Sequence, residues 1–201
     1  LLDERQFHVY AVDLTGNAPQ ALTQASGLQL PRSAVLGTDA TFAVAPDGNE
    51  LAFVADSDPL RESQNLDVFT VALSAGADPS KPINRTLGNG AADSSPLYSP
   101  DGRYLSLVQQ RIKGFYADKG RLMLLERGNK ASTRELFADW DRSVDLLVWA
   151  PDSKRLYGAI DDAGTVRAYE LPLSGKPRAL TQENSFSSLA LSRSGTLVAL
   201  R

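Results

Sequence analysis

Apolar and polar residues alternate along this chain in short runs, and the runs recur in groups of four. The segments HVYAVDL, DVFTVAL, RLMLLER and VRAYELP are each followed by a second run, PQALTQ, KPINRTLG, TRELFAD or KPRALTQ. Turn-rich joints, TGNA, SAGADPS, GNKAS and SGK, separate the members of each pair. Alternation with a period of two is the signature of a half-buried strand. Two further apolar runs flank a repeated turn: TFAVAP and NELAFVAD, PLYSP and RYLSLVQQ, LLVWAP and KRLYGAID, LALSR and TLVALR. The turn reads A-P-D-G at Ala45–Gly48, S-P-D-G at Ser99–Gly102, A-P-D-S at Ala150–Ser153 and, degenerately, S-R-S-G at Ser192–Gly195. Proline presets φ at the first corner, and Asp and Gly accept the rest of a tight turn, so each copy predicts a β-hairpin.

Aligned on their second residue, the copies fall at positions 46, 100, 151 and 193, which is 54, 51 and 42 residues apart. Four short strands, A to D, in each repeat of this length predict the blade of a β-propeller. The expected fold is thus all-β: a propeller fragment of about four blade equivalents, with a half blade at 7–24, full blades at 41–88, 95–138 and 144–182, and a half blade at 187–201. That register holds sixteen strands. A β-sandwich also shows short, regularly spaced strands, but it does not account for four in-phase copies of one turn motif. TRELFADW is the only helix candidate, one turn at most.

Composition narrows function by exclusion. The 201 residues are 42% hydrophobic and 22% charged, with a formal charge of −3, which is ordinary globular composition. A mildly acidic chain without a basic block is a poor ligand for nucleic acid or anionic membrane. No run approaches 18 apolar residues, the length of a membrane span. There is no cysteine and a single histidine, His8, which removes thiol catalysis and the usual zinc sites. No cofactor or metal is expected: G-N-G at 88–90 lacks the strand and helix of a dinucleotide site, and the acids of 56–67 lack the order of a calcium loop. Neither G-x-S-x-G nor another credible nucleophile–base pair occurs, so no catalytic residue is expected in the chain. Because the sequence opens without Met and stops within an apolar alternation, a piece of a longer protein is expected.

The pattern [SA]-P-D-G-x-x-[LI]-x-[FL], then φ-Y-x-x-x-L (φ apolar), then P-R-x-L-T resembles the PD-type, WD40-like propeller repeat of TolB-like proteins and of the prolyl oligopeptidase superfamily of serine peptidases. Residues 99–144 and 149–181 resemble the propeller of bacterial members in the acylaminoacyl-peptidase and dipeptidyl-peptidase branch. Gly114, Phe115 and Asp118 of a G-F-x-x-D insertion, and the D-W-D-R-S string Asp139 to Ser143, carry that likeness. The resemblance implies a partner: an α/β-hydrolase domain with Ser, Asp and His in that order, C-terminal to Arg201. It also implies a peptide substrate, and a periplasmic or secreted protein, with the cytoplasm as the alternative.

Strand alternation sends the A–B and C–D turns to one face and the B–C and D–A connections to the other. The longer connections, 25–40, 57–65, 88–95, 111–120, 138–143 and 161–165, share the second face, where function is expected on a rigid scaffold. Arg111, Phe115, Tyr116 and Asp118, with Lys113, are candidate substrate-binding residues there, because Arg and aromatics can hold a peptide carboxylate or carbonyl and a side chain. Asp141 and Arg142, beside Trp140, are further candidates, or else an ion pair between blades. Asp161-Asp162-Ala-Gly reads as a plain turn, Trp149 as core, and His8 as a satisfied strand residue. Two functions are consistent with this pattern: a non-catalytic propeller that gates and orients peptides for a separate hydrolase domain, or a TolB-like interaction propeller with no enzyme attached. The unpaired strands of the two half blades further predict a homodimer, or closure of the chain on itself.

Overall fold

The computed structural model describes residues 7–12, 14–28, 30, 41–57, 65–74, 78–128, 132–144, 146–183 and 185–200. They form sixteen strands in five antiparallel sheets. β1 (Tyr10–Ala11) and β2 (Gln20–Ala21) make a two-stranded first blade. The second blade comprises β3 (Phe42–Val44), β4 (Glu50–Asp56), β5 (Leu66–Ala72) and β6 (Ile83–Asn84). β7 (Asp93–Tyr98), β8 (Tyr104–Gln109), β9 (Arg121–Glu126) and β10 (Thr133–Glu135) form the third. The fourth holds β11 (Val148–Trp149), β12 (Arg155–Asp162), β13 (Thr165–Pro172) and β14 (Arg178–Ala179). β15 (Ser188–Leu191) and β16 (Leu197–Leu200) close the series. In each full blade the sheet order is the chain order. The A strands β3, β7, β11 and β15 touch in succession, so they line the inner side of a β-propeller and the short D strands lie outside.

The repeated turn forms because each of its residues has a task. Gly48, Gly102, Ser153 and Gly195 each return an N–H to the carbonyl three residues back, at 2.8–3.0 Å. All four adopt positive φ, 73°, 71°, 56° and 87°, the region glycine enters without steric cost. Asp47, Asp101 and Asp152 accept the backbone N–H two residues on, at 2.9–3.0 Å, an Asx turn. Ser153 is the non-glycine among them, and its hydroxyl accepts the Asp101 N–H of the neighbouring blade at 3.0 Å. The degenerate fourth copy is one residue tighter: Ser192 N–H bonds Thr196 O, where Ala45, Ser99 and Ala150 each reach five residues ahead.

Strand alternation distributes the core between blades rather than within them. Leu51, Phe53 and Ala55 of β4 face a cluster shared with Val9 and Leu30 of the first blade's segment, while Ala52 and Val54 face Leu105, Leu107, Met123 and Leu125 of the third blade. Leu122 and Leu124, the alternate residues of β9, join Leu156, Ile160 and Leu171 of the fourth blade. Full burial of such a side chain is worth roughly 1.5–3 kcal/mol. Trp149, expected in the core, is half-buried. Its Nε1 donates to Leu97 O and Ser106 Oγ of the third blade, at 3.2 and 3.1 Å, and its ring stacks on Tyr104.

The repeated geometry at the outer edge rests on threonine. Thr23, Thr86 and Thr181, the T of each x-L-T or R-T string, accept the N–H of Val9, Val68 and Ala168 at 3.0–3.1 Å. The preceding residue's N–H bonds the carbonyl of the same C-strand residue at 2.8 Å. With this side-chain cap continuing the ladder, β2, β6 and β14 need only two residues of regular strand. The D runs read from the sequence are longer than the strands for this reason. No helix forms at TRELFADW: β10 ends at Glu135, and Phe137–Trp140 make a turn closed by Trp140 N–H to Phe137 O, 2.9 Å. The sole helical turn among the described residues is a 3-10 turn, Gln24–Ser26. Among the described residues, β1–β2 and β15–β16 are separate sheets that do not merge into one composite blade.

Candidate functional site on the long-loop face

The connection between β8 and β9 is held from inside by one carboxylate. Asp118 is 9% exposed. Its oxygens accept the N–H of Arg111 (2.6 Å), Ile112 (3.0 Å) and Lys119 (2.8 Å), and the Arg121 guanidinium at 3.0 Å. Burial pushes its pKa up, but Arg121 and the backbone donors outweigh that and hold the carboxyl well below the usual range. The Gln110 amide braces the other side by donating to Tyr116 O and Asp118 O. Gly114, at φ 71°, allows the tight turn that Phe115 N–H to Ile112 O closes.

Thus the structure splits the predicted set. Asp118 spends its acceptors on its own loop, where it braces the backbone. Ile112, Phe115 and Tyr116 turn out to solvent, 53%, 51% and 75% exposed. Arg111 stands beside them, half exposed, with Nη2 donating to Glu135 Oε2 at 2.6 Å. Lys119 Nζ donates to Trp140 O at 2.8 Å, which ties the loop to the corner after β10. An apolar surface with one guanidinium at its margin suits an apolar side chain next to a carbonyl or carboxylate.

Asp141 and Arg142 make only a loose pair, in which the Arg142 guanidinium also donates to the Asp141 carbonyl. Asp141 is fully exposed, and its carboxylate is 3.8 Å from its neighbour's guanidinium. Arg142 donates to Asp162 Oδ1 at 2.9–3.0 Å, while Arg167 and the Tyr169 hydroxyl donate to Oδ2 at 2.8 and 2.6 Å. The Tyr169 and Arg142 hydrogen bonds hold the Asp162 carboxyl below its ordinary value. Of the turn expected at Asp161-Asp162-Ala-Gly, Asp161 and Asp162 belong to β12 and only Ala163 and Gly164, both at positive φ, lie between β12 and β13, so the 161–165 connection is tight rather than long. Asp162 was missed as the anchor of the entry to the fourth blade. Of the 56–67 string, 58–64 lie outside the described residues, as do 29 and 31–40 of the 25–40 connection, 75–77 of the SAGADPS joint and 129–131 of the GNKAS joint.

Two buried acids lie on the same face: Asp67, weighed from the sequence only among the acids of 56–67, and Asp93, which the sequence reading passed over. Asp67 accepts from Thr86 Oγ1 and Asn84 Nδ2, both at 2.8 Å. Asp93, 0% exposed, accepts from Gln109 Nε2 at 2.9 Å and Asn89 Nδ2 at 3.0 Å. Burial pushes the Asp93 carboxyl up to about 7 against these neutral donors. The available signal was Asp67 interrupting the apolar alternation of LDVFTVAL. His8 lies 3.5 Å from Thr23 Oγ1. Among the described residues, no three His, Asp or Glu side chains cluster as a metal site.

Sheets, interblade cores and site together define a β-propeller segment, and relatives give it a context. The chain is homologous to dipeptidyl-peptidase 5 from Trichophyton equinum, 26% identical over 163 residues. A probable dipeptidyl-peptidase 5 from Arthroderma benhamiae is 27% identical over 164 residues. Each alignment covers 76% of this chain, and the chain spans only 22% of the relative's length. These relatives are fungal. Among solved structures, TolB from Acinetobacter baumannii superposes with a TM-score of 0.64 at 16% identity, covering 94% of this chain and 41% of its own. A puromycin-hydrolyzing peptidase from Mycobacterium tuberculosis superposes with a TM-score of 0.65 at 21% identity, covering 89% and 27%. No family model matches the chain.

Proposed function

We propose that this chain is the non-catalytic propeller of an exported serine peptidase, gating and orienting short peptides for an α/β-hydrolase domain encoded elsewhere in the same protein. The observation that supports this most is homology to dipeptidyl-peptidase 5 across 76% of the chain. The loop carrying Arg111, Phe115 and Tyr116 faces the peptide in this reading, and Asp118 keeps it from collapsing. In the complete enzyme, Arg111→Ala is expected to lower kcat/KM by about tenfold to a hundredfold, the worth of a charge-assisted contact, and Phe115→Ala to lower it as well, each with little loss of stability. Wild-type kinetics in both variants would make the loop structural. A second reading, a TolB-like interaction propeller without an enzyme, draws support from the superposition on TolB over 94% of the chain. The reading frame beyond Arg201 separates the two: G-x-S-x-G followed by Asp and His supports the peptidase, and its absence the interaction module.

A further inference from the structure

One outer corner departs from the pattern the other blades obey. Where Thr23, Thr86 and Thr181 cap the neighbouring strand, the third blade has Phe137, at φ 61°, with no hydroxyl to offer. Three residues on, Ser26 and Asn89 return their N–H to Thr23 and Thr86; the equivalent residue here is Trp140. Two polar positions have thus become aromatic in one blade, and Phe137 occupies a backbone region unfavourable to a bulky side chain. Such departures concentrate at functional sites. Phe137 meets Trp140 edge-on at 6.1 Å, and Trp140 lies 5.2 Å from Tyr169 of the fourth blade. Both are only partly buried against the core.

Their other sides line a groove of about 600 Å³ that reaches the Gly175–Pro177 turn of the fourth blade. That turn is held to β10 by Arg134, whose Nη2 donates to Leu173 O. Volumes of roughly 300–1,000 Å³ are typical of small-ligand sites. Asp139 and Lys176, both exposed, contribute opposite charges to the lining. Neither is in an ion pair among the described residues.

We propose that this groove binds a short zwitterionic peptide, its apolar side chain on Phe137 and Trp140, its ammonium at Asp139 and its carboxylate at Lys176. The site needs no hydrolase domain and so stands apart from the peptidase reading. Calorimetric titration of the 201-residue chain with Leu-Phe tests it by binding rather than turnover. Saturable one-site binding is expected. N-acetyl-Leu-Phe-amide, Lys176→Glu and Asp139→Lys should each weaken it by about tenfold or more, as loss of a charge-assisted contact does. Both substitutions are at exposed positions, so melting temperatures should not move; a Trp140→Ala variant, which loses its contact with Tyr169, is not needed. The proposal is overturned by no heat of binding up to about 10 mM peptide, a −2.7 kcal/mol affinity limit, by equal binding of the capped peptide, or by wild-type affinity in both charge variants. Free phenylalanine binding as tightly as Leu-Phe would overturn the assignment to a peptide.

Discussion

Asp93 gives the chain a stability that should fall as pH rises. Its carboxyl is fully buried at the start of β7, with Gln109 and Asn89 as donors, and burial lifts its pKa from 3.8 to about 7. Below about pH 4 the folded and unfolded chains both hold this proton, and the group is silent. Between about pH 4 and 7 the folded chain keeps a proton that the unfolded chain has released. Stability then declines with pH, at up to about 1.4 kcal/mol per pH unit. Above about pH 7 both states are ionised and the whole penalty is present, about three units of displacement or on the order of 4 kcal/mol. Asp93→Asn keeps the shape and cannot ionise. Urea unfolding of wild type and variant from about pH 4 to pH 8, followed by the fluorescence of Trp140 and Trp149, gives a difference in which the other carboxylates cancel. The variant's advantage should grow by about 4 kcal/mol across the window and be flat on either side. A difference constant to within about 0.5 kcal/mol, the error of such extrapolations, would refute the reasoning.

Asp118 behaves in the opposite sense. Its depressed pKa contributes stability that is complete above the unfolded value near pH 4 and is lost on acidification. Asp118→Ala should cost about 3–5 kcal/mol at neutral pH, because it removes the carboxylate partner of Arg121 and the acceptor of three backbone N–H groups, and denaturant titration reads the loss. We further propose that the 201-residue chain dimerises head to tail, since among the described residues β1 pairs only with β2 and β16 only with β15, and open edges seek a ladder. Light scattering should give twice 21.6 kDa; a monomer at high concentration sinks the idea.

The propeller was legible because its hairpin is locally encoded. Pro-Asp-Gly turns on itself, through the Asp Oδ1 and the glycine φ, wherever it stands, and alternation then fixes which side of each strand meets which blade. The site was less legible because charge partners are set by tertiary contact. Arg142 sits only loosely on the carboxylate of its sequence neighbour Asp141, at 3.8 Å, and makes its close contact with Asp162, 20 residues away, at 2.9 Å. Asp118 looks like a candidate ligand in the string G-F-x-x-D, and only the folded loop reveals that its backbone consumes both oxygens. Phe137 carried a visible signal, an aromatic at the threonine position of the repeat, which has meaning only once the threonines are seen capping strands.

Since no blade keeps a core to itself, the fold is modular at its interfaces. Leu51 and Ala52, adjacent in β4, belong to different hydrophobic clusters with different neighbours. Inserting a blade between two others therefore breaks one interface and creates two of the same type. Chain growth by duplication meets a ready-made mould on either side, and cooperativity passes from neighbour to neighbour as in linear repeat arrays. The ring size of such a protein is then a matter of how many copies the gene carries and how they tilt, rather than of redesigning any one core.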